Sequence, residues 1–422
     1  MKKIVTLLLI CLVLVGCSST KKQISKSINS TFSSSFYKNQ FTGLLIVNAQ
    51  NQDTLLNFNG EKYFTPASNT KIFTLFSALQ LLSDSIPTLK YLERNDTLYM
   101  EGTGDPTLLH KAFENNKTLD FLKPYEHIAV HLNNFEDQKY GPGWSWDDYG
   151  FYYQAEKSPL PLYGNVVTLY NTNKTSTTPS HFSDAVIPIE FSQNREIDDN
   201  RFYFSTSRKD TLEIPFRTNS VLTKTLLEKE LQKKITLIAQ MPLIKKKVLK
   251  SVPVDTVYKR MMHLSDNFIA EQLLILGSST LSDSLNSNTA REYILANQLA
   301  HLRQPPRWVD GSGLSRYNLF TPESIVAVLN QLYTKIDKER LFGFFPAGGA
   351  SGTLKDWYGG DPYPYLYAKS GSLGNTYCLS GYLLTKSGKT LIFSFMNNHF
   401  KQPSSEVKKQ MERLFEAIRD SY

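Results

Sequence analysis

The sequence predicts an α+β protein of several domains: an antiparallel sheet flanked by helices, assembled from both ends of the chain, with β-rich inserted structure between them. Three observations carry this. A strand pair followed by a helix stands near the N-terminus, a hairpin followed by an amphipathic helix closes the chain, and the middle is dense in short β-prone runs.

In chain order, Gly43–Asn48 and Thr54–Asn59 are apolar runs around the polar turn Asn51-Gln52-Asp53, which makes a strand pair. Pro66-Ala67-Ser68 leads into a helix with Ile72, Leu75, Phe76 and Leu79 at helical spacing. Ser68 then falls at the helix start, with Lys71 one turn on along the same face. Residues 88–250 hold runs such as Leu98–Glu101, Ile128–Leu132 and Val166–Tyr170, with a helical stretch only near Leu222–Leu231. Residues 171–183 are polar and read as a loop. Near the C-terminus, Thr376–Leu384 and Thr390–Met396 flank Lys386-Ser387-Gly388-Lys389, a hairpin. Val407, Met411, Leu414 and Ile418 mark a final amphipathic helix.

The first residues point to export. Lys2 and Lys3 precede an apolar run from Ile4 to Val15, too short to cross a membrane and shaped like a secretory signal. Leu14-Val15-Gly16-Cys17 resembles a bacterial lipobox, which implies cleavage before Cys17 and lipid on that residue. Several acyl chains on one residue hold a protein stably on a membrane. Ser18 stands where some bacteria use aspartate to retain lipoproteins at the inner membrane, so the lean is toward the outer one. Ser18–Ser35 is rich in Ser, Lys, Asn and Thr and reads as a flexible tether. The expected division is therefore a signal over 1–16, a lipidated tether over 17–35, one domain from 36–87 with 251–422, and inserted β-rich structure over 88–250.

Once Cys11 and Cys17 are set aside, Cys378 alone remains. No intramolecular disulfide is then possible, and its apolar surroundings mark it as a small core residue. The chain has 47 Lys+Arg against 39 Asp+Glu, and removing Lys2 and Lys3 leaves 45 basic residues. This mild excess suits an anionic surface or plain solvation; an exported protein has no nucleic-acid partner to explain it.

Three short motifs carry the chemistry. Ser68-Asn69-Thr70-Lys71 offers a nucleophile and a base, because a serine hydroxyl needs a neighbour to take its proton. Burial and a second cation would lower the Lys71 pKa, and Lys369 is the candidate cation. Ser265-Asp266-Asn267 opens a helix that runs toward Gly277: Ser265 is placed to pass a proton to a leaving amine, Asn267 to bond a substrate amide. Lys369-Ser370-Gly371 opens a strand: Lys369 and the Ser370 hydroxyl suit a carboxylate, and Gly371 permits close backbone approach. Backbone N–H groups of Ser68 and Ser372 are candidate oxyanion donors. Taken singly, each motif is equally a cap or a turn. Their order, each in its fitting local structure, is the informative observation.

Read together as S-x-x-K, S-x-N and K-[ST]-G, they resemble the signature of serine acyl-transfer enzymes that attack D-alanyl peptides and β-lactams. The chain is similar to the penicillin-binding proteins of the D-alanyl-D-alanine carboxypeptidase/endopeptidase family, penicillin-binding protein 4 (DacB) type, peptidase family S13. Further blocks carry the likeness: Gly102-Thr-Gly-Asp-Pro-Thr-Leu108, Gly143-Trp-Ser-Trp-Asp-Asp148, Asp310-Gly-Ser-Gly-Leu-Ser-Arg316 and Ala368-Lys-Ser-Gly-Ser-Leu373. Lys71 and Ser265 are 194 positions apart (265 − 71), more than a compact β-lactamase needs.

The resemblance implies a transpeptidase-like, β-lactamase-like domain with β-rich inserts. It implies hydrolysis of the terminal D-Ala-D-Ala bond and of D-alanyl cross-links in peptidoglycan, through an acyl-enzyme on Ser68 that penicillins also form. Catalytic residues would be Ser68, Lys71, Ser265, Asn267 and Lys369; Ser370, Gly371 and Ser372 would bind substrate. A site for a diaminopimelate side chain is implied in the insert, with Asp147 for the amine and Trp144 and Tyr152 as walls. Stem peptides, β-lactams and, through Cys17, a membrane are the expected partners; no cofactor is implied. Two departures stand: K-S-G replaces the more usual K-T-G, and residues 171–250 show no family block.

Other chemistries fit less well. His263, Ser265 and Asp266 are neighbours in sequence, but there is no G-x-S-x-G elbow. There is no H-E-x-x-H, and the seven histidines are scattered. A β-lactamase or esterase on the same scaffold and a non-catalytic wall-binding lipoprotein remain open.

Overall fold

Alternation along the strands at the two chain ends sets the architecture. The computed structural model describes residues 31–422 except 115 and 173. The signal segment and Cys17 lie outside the described residues. Strands β1 (Phe41–Asn48) and β2 (Thr54–Phe58) lead to a 3-10 turn at Ala67–Thr70 and helix α1 (Lys71–Leu81). The insert then contributes β3 (Ser85–Arg94), β4 (Thr97–Gly102), α2 (Lys117–Leu122), β5 (His127–His131), β6 (Val166–Asn171) and β7 (Thr175–Thr178). It continues with β8 (Val186–Ile187), β9 (Phe202–Tyr203), β10 (Leu212–Pro215), α3 (Ser220–Leu231), β11 (Ile235–Leu237) and β12 (Lys247–Pro253). The chain returns through α4 (Val254–His263), α5 (Asn267–Ser278), α6 (Ser287–Asn297), α7 (Pro322–Lys335) and α8 (Lys338–Phe344). It ends with β13 (Leu366–Leu373), β14 (Thr376–Leu384), β15 (Thr390–Asn398) and α9 (Ser404–Ser421).

The principal sheet has the order β13-β14-β15-β1-β2 and is antiparallel throughout. The N-terminal pair is therefore completed by the C-terminal hairpin, Phe41 facing Asn398 and Asn48 facing Leu391. Each strand buries both faces, because successive side chains point to opposite sides. Leu45, Val47, Cys378, Tyr382 and Ile392 pack under α1, α4, α5 and α7. Leu44, Ile46, Leu379, Phe393 and Phe395 pack under α9, through Val407, Met411, Phe415 and Ile418. The result is a helix–sheet–helix sandwich. Cys378 is a buried free thiol whose pKa burial pushes up to about 12, as suits an inert core residue.

The insert has its own core. A five-stranded sheet, β11-β5-β4-β3-β12, is mixed, with β4/β5 and β11/β5 parallel. A three-stranded sheet, β10-β6-β7, and the pair β8-β9 accompany it. The first sheet runs from Ser85 to Pro253, a few residues beyond the 88–250 expected, because β3 and β12 pair edge to edge at the neck of the insert.

Two expectations need correction. The tether was expected to run to Ser35, but Phe32 is buried, stacked on Phe58 with centroids 4.5 Å apart. A single aromatic in a serine-rich stretch has no periodicity to reveal it. Residues 171–183 are not all loop: Thr175–Thr178 pairs with β6 as β7, and residues 180–185 form a 3-10 turn. Threonine favours strands despite its polarity.

Candidate active site

The nucleophile turn is built by close backbone contact. Ala67 sits at φ +47°, and the 3-10 turn delivers Ser68 just ahead of α1. Ser68 is therefore not the helix cap; Thr70 precedes the first residue, Lys71. Two glycines let other segments reach this turn. A Cβ on Gly371 would lie 2.6 Å from Pro66 O and 2.9 Å from Ser68 N. A Cβ on Gly313, at φ +86°, would lie 1.9 Å from Ala67 O. Gly371 is thus required by the turn that carries Ser68, a nearer reason than substrate access.

Lys71 is wholly buried, and its ammonium donates to Ser68 Oγ (2.9 Å), Asn267 Oδ1 (2.7 Å) and Ser312 O (2.6 Å). Burial lowers its pKa to about 8, against an opposing pull from Asp310, Glu271 and Asp266. Lys369 is also buried and donates to Ser265 Oγ (3.0 Å) and Ser370 O (2.7 Å). Its pKa lies well below the lysine range, through burial first and then the charge of Lys71. No acid offsets this, so burial and a neighbouring cation both disfavour charge on Lys369, whereas three acids favour it on Lys71. Lys369 is read from the sequence as the cation that depresses Lys71; in the structure Lys71 is the cation that depresses Lys369, and burial depresses Lys71.

Helix α5 supplies the second motif. Asp266 caps it, accepting from Ile269 N at 3.1 Å, and pairs with Arg260 at 3.0 Å. Capping is thus the role of Asp266, and it leaves its neighbours for the site. Ser265 adopts φ +57°, a conformation costly for a side chain of this type, and presents its hydroxyl to Lys369. Asn267 is held between Lys71 and Tyr153 O, to which its Nδ2 donates at 3.1 Å.

The third motif lies on an edge. β13 is terminal in its sheet, and residues 346–348 cover its outer side only as far as Ala368, through Gly348 N to Leu366 O (2.8 Å) and Ala368 N to Pro346 O (3.0 Å). Beyond that, Ser370 Oγ meets Thr353 Oγ1 at 2.7 Å, and Ser372 is exposed. An edge strand offers unpaired backbone groups to an extended peptide.

Sequence reasoning missed several contributors. Asp310, itself buried, accepts from Gly313 N (2.9 Å), Ser315 N (2.7 Å), Asn318 Nδ2 (2.7 Å) and Trp144 Nε1 (2.9 Å). This knot presents Ser312 O to Lys71. Glu271, one turn beyond Asn267, accepts from Ser312 N at 2.7 Å; burial and then Asp310 raise its carboxyl pKa. Thr353 is the unforeseen partner of Ser370. The Asp310-Gly-Ser-Gly block was visible as a motif, but its contacts were not.

The three insert candidates separate. Trp144 is tied to the site through Asp310. Tyr152 is exposed, its ring against the Tyr153 edge. Asp147 is exposed, whereas Asp148 accepts from Tyr153 Oη at 3.0 Å, and the Tyr153 carbonyl bonds Asn267. Among the described contacts, Asp148 is hydrogen-bonded to the side chain of a residue whose carbonyl meets Asn267, and Asp147 is not.

Known proteins share this arrangement of chain. The D-alanyl-D-alanine carboxypeptidase DacB of Haemophilus influenzae is 23% identical over 445 residues, covering 90% of each chain. The crystal structure of penicillin binding protein 4 (dacB) from Haemophilus influenzae matches with a TM-score of 0.72 at 20% identity, over 91% of this chain and 97% of the other. A predatory peptidoglycan endopeptidase of Bdellovibrio bacteriovorus shares the fold with a TM-score of 0.52 at 16% identity, over 90% of this chain and 92% of that one. A family model, the D-Ala-D-Ala carboxypeptidase 3 (S13) family, matches residues 25–418. With nearly the whole chain matched, from before the described residues to the final helix, the chain belongs to the D-Ala-D-Ala carboxypeptidase 3 (S13) family.

Proposed function

We propose that the protein is a serine D-Ala-D-Ala carboxypeptidase and D-alanyl endopeptidase acting on peptidoglycan stem peptides. The observation that carries this is the pair of buried lysines, Lys71 on Ser68 and Lys369 on Ser265, at the open edge of β13. The substrate lies along that edge with its terminal carboxylate at Lys369, Ser370 and Thr353. A carboxylate favours the charged form of its neighbour. The single proton that the pair holds at rest then resides on Lys369, and Lys71 becomes a neutral base.

Lys71 takes the Ser68 proton as Oγ bonds to the carbonyl carbon of the penultimate D-alanine. The oxyanion meets backbone N–H donors at Ser68 and Ser372. The C–N bond breaks when Ser265 passes a proton to the departing amine and regains one from the lysine pair. The terminal D-alanine leaves, and water then hydrolyses the Ser68 ester. In a cross-link the same bond is cut with a longer leaving group. Asp148, anchored by Tyr153 beside Asn267, suits the side-chain amine of a stem peptide better than the exposed Asp147 does. The signal-like first residues and the lipobox-like Leu14-Val15-Gly16-Cys17 support an exported enzyme on a lipid anchor at Cys17, with a lean toward the outer membrane.

Labelling with a fluorescent penicillin, wild type against Ser68→Ala, tests the reading. Wild type is expected to label covalently and to release D-alanine from stem peptides; the variant does neither. No label on folded wild type would overturn it, label without peptide hydrolysis would indicate a binder, and rapid penicillin turnover would indicate a β-lactamase.

A further inference from the structure

We infer that the face formed by the first described residues and the β1–β2 edge of the principal sheet docks on an anionic phospholipid surface. The inference uses the lipid anchor at Cys17 only to explain why this face meets a membrane.

The face is a concavity of about 720 Å³ that contains Phe32 and Phe64 in its floor and Phe41 and Tyr63 at its rim. Phe41 is 66% and Tyr63 47% exposed, large aromatic surface for a water-facing site. Lys38, Lys62 and His399 share the lining, and no Asp or Glu does. Among the described residues neither Lys38 nor Lys62 is in an ion pair. Aromatic rings beside uncompensated lysines are the composition that settles at a bilayer interface.

Position in the chain agrees. The described chain enters at Thr31, next to this concavity, 14 residues after Cys17; fully extended these span at most about 50 Å. The first acidic residue of the whole sequence is Asp53, while Lys21, Lys22, Lys26 and Lys38 all precede it. The chain leading from Cys17 into this face thus brings lysines and no acid, and each lysine near an anionic membrane adds roughly fivefold to binding. Docking here also leaves the chemistry clear: β2 is the opposite edge of the sheet from β13, where substrate enters.

The full mature chain carrying Cys17→Ser, and so no lipid, is mixed with phosphatidylcholine vesicles with or without phosphatidylglycerol and sedimented. Binding is expected only with phosphatidylglycerol and is expected to weaken with salt. Lys38→Glu with Lys62→Glu should weaken it at least tenfold, and Phe41→Ser with Tyr63→Ser several-fold, with penicillin labelling unchanged as proof of folding. Equal binding to both vesicle types, or variants that bind like their parent, would overturn the inference; the latter would assign the binding to the tether. Retention on isolated peptidoglycan with none on vesicles would overturn it in favour of a wall-binding face. Absence of lipid on Cys17 in the native protein would refute the anchor alone, since the vesicle experiment does without it.

Discussion

A buried lysine pair that shares one proton makes a prediction with opposite signs for two nearly identical substrates. Burial and the charge of Lys71 hold Lys369 well below the lysine range, and burial brings Lys71 to about 8; Lys369 is taken as the first to lose its proton. A substrate with a terminal carboxylate needs the one-proton pair: Lys369 charged to bind it, Lys71 neutral to act. That form falls to about half at pH 8 and about a tenth at pH 9. A substrate without the carboxylate needs only neutral Lys71, which rises from about a tenth at pH 7 to about nine-tenths at pH 9. The matched pair is an acyl-D-alanyl-D-lactate depsipeptide and its methyl ester, which share one scissile bond. Second-order acylation constants from single-turnover measurements report the free enzyme. Between pH 7 and 9 the acid should slow about tenfold and the ester, slower throughout, should speed up about tenfold. Lys369→Met should impose the ester's profile on both. Parallel profiles for the two substrates in the wild type would refute the shared-proton account.

Three other outcomes follow from the geometry. Gly371→Ala forces a methyl against three backbone atoms of the nucleophile turn; it should cost about 1–3 kcal/mol in urea unfolding and abolish most penicillin labelling. Asp310→Asn turns an amide donor toward N–H groups that need an acceptor, so a loss of about 3 kcal/mol is expected by thermal unfolding, with labelling slowed as Ser312 loses its place. Asp148→Asn should lower kcat/KM roughly tenfold for stem peptides with a free side-chain amine and spare those with the amine acetylated, whereas Asp147→Asn should change neither.

Much of this was legible because its signals are local. Strand alternation, the spacing of Ile72, Leu75, Phe76 and Leu79, and the amphipathic close at Val407–Ile418 follow from the periods of strand and helix. They located the sandwich and the nucleophile turn. Ser68, Lys71, Ser265, Asn267 and Lys369 could be singled out because each motif is short, although only the fold brings Lys71 within 2.7 Å of Asn267. What was not legible depends on long-range closure. Thr353 and Ser370 meet across a sheet edge; Glu271 reaches Ser312 from another helix; Asp310 ties the insert's Trp144 to the catalytic loop. None has a spacing rule. Asp147 is the acid that the resemblance singles out; that its neighbour Asp148 is the one hydrogen-bonded to Tyr153 is likewise a matter of three-dimensional placement that no spacing rule gives.

The placing of acids around the two lysines favours charge on Lys71 over charge on Lys369. Lys71 has Asp310, Glu271 and Asp266 near enough to favour its charge, while Lys369 has burial and a neighbouring cation against it. Two buried ammonium groups together would be costly, and shedding one proton relieves most of that cost. The proton that remains sits on Lys71, which then donates to Ser68 and cannot accept from it. A serine held by an ammonium is no nucleophile. Under the proposed binding mode an anionic terminus at Lys369 would reverse this balance by stabilising the charge there, so the group that identifies the donor peptide would also create the base. A neutral amide or ester that strays into the cleft meets the resting arrangement and reacts slowly. In this account the selectivity for carboxylate-ended peptides comes from where the proton rests before they bind as well as from the contacts they make.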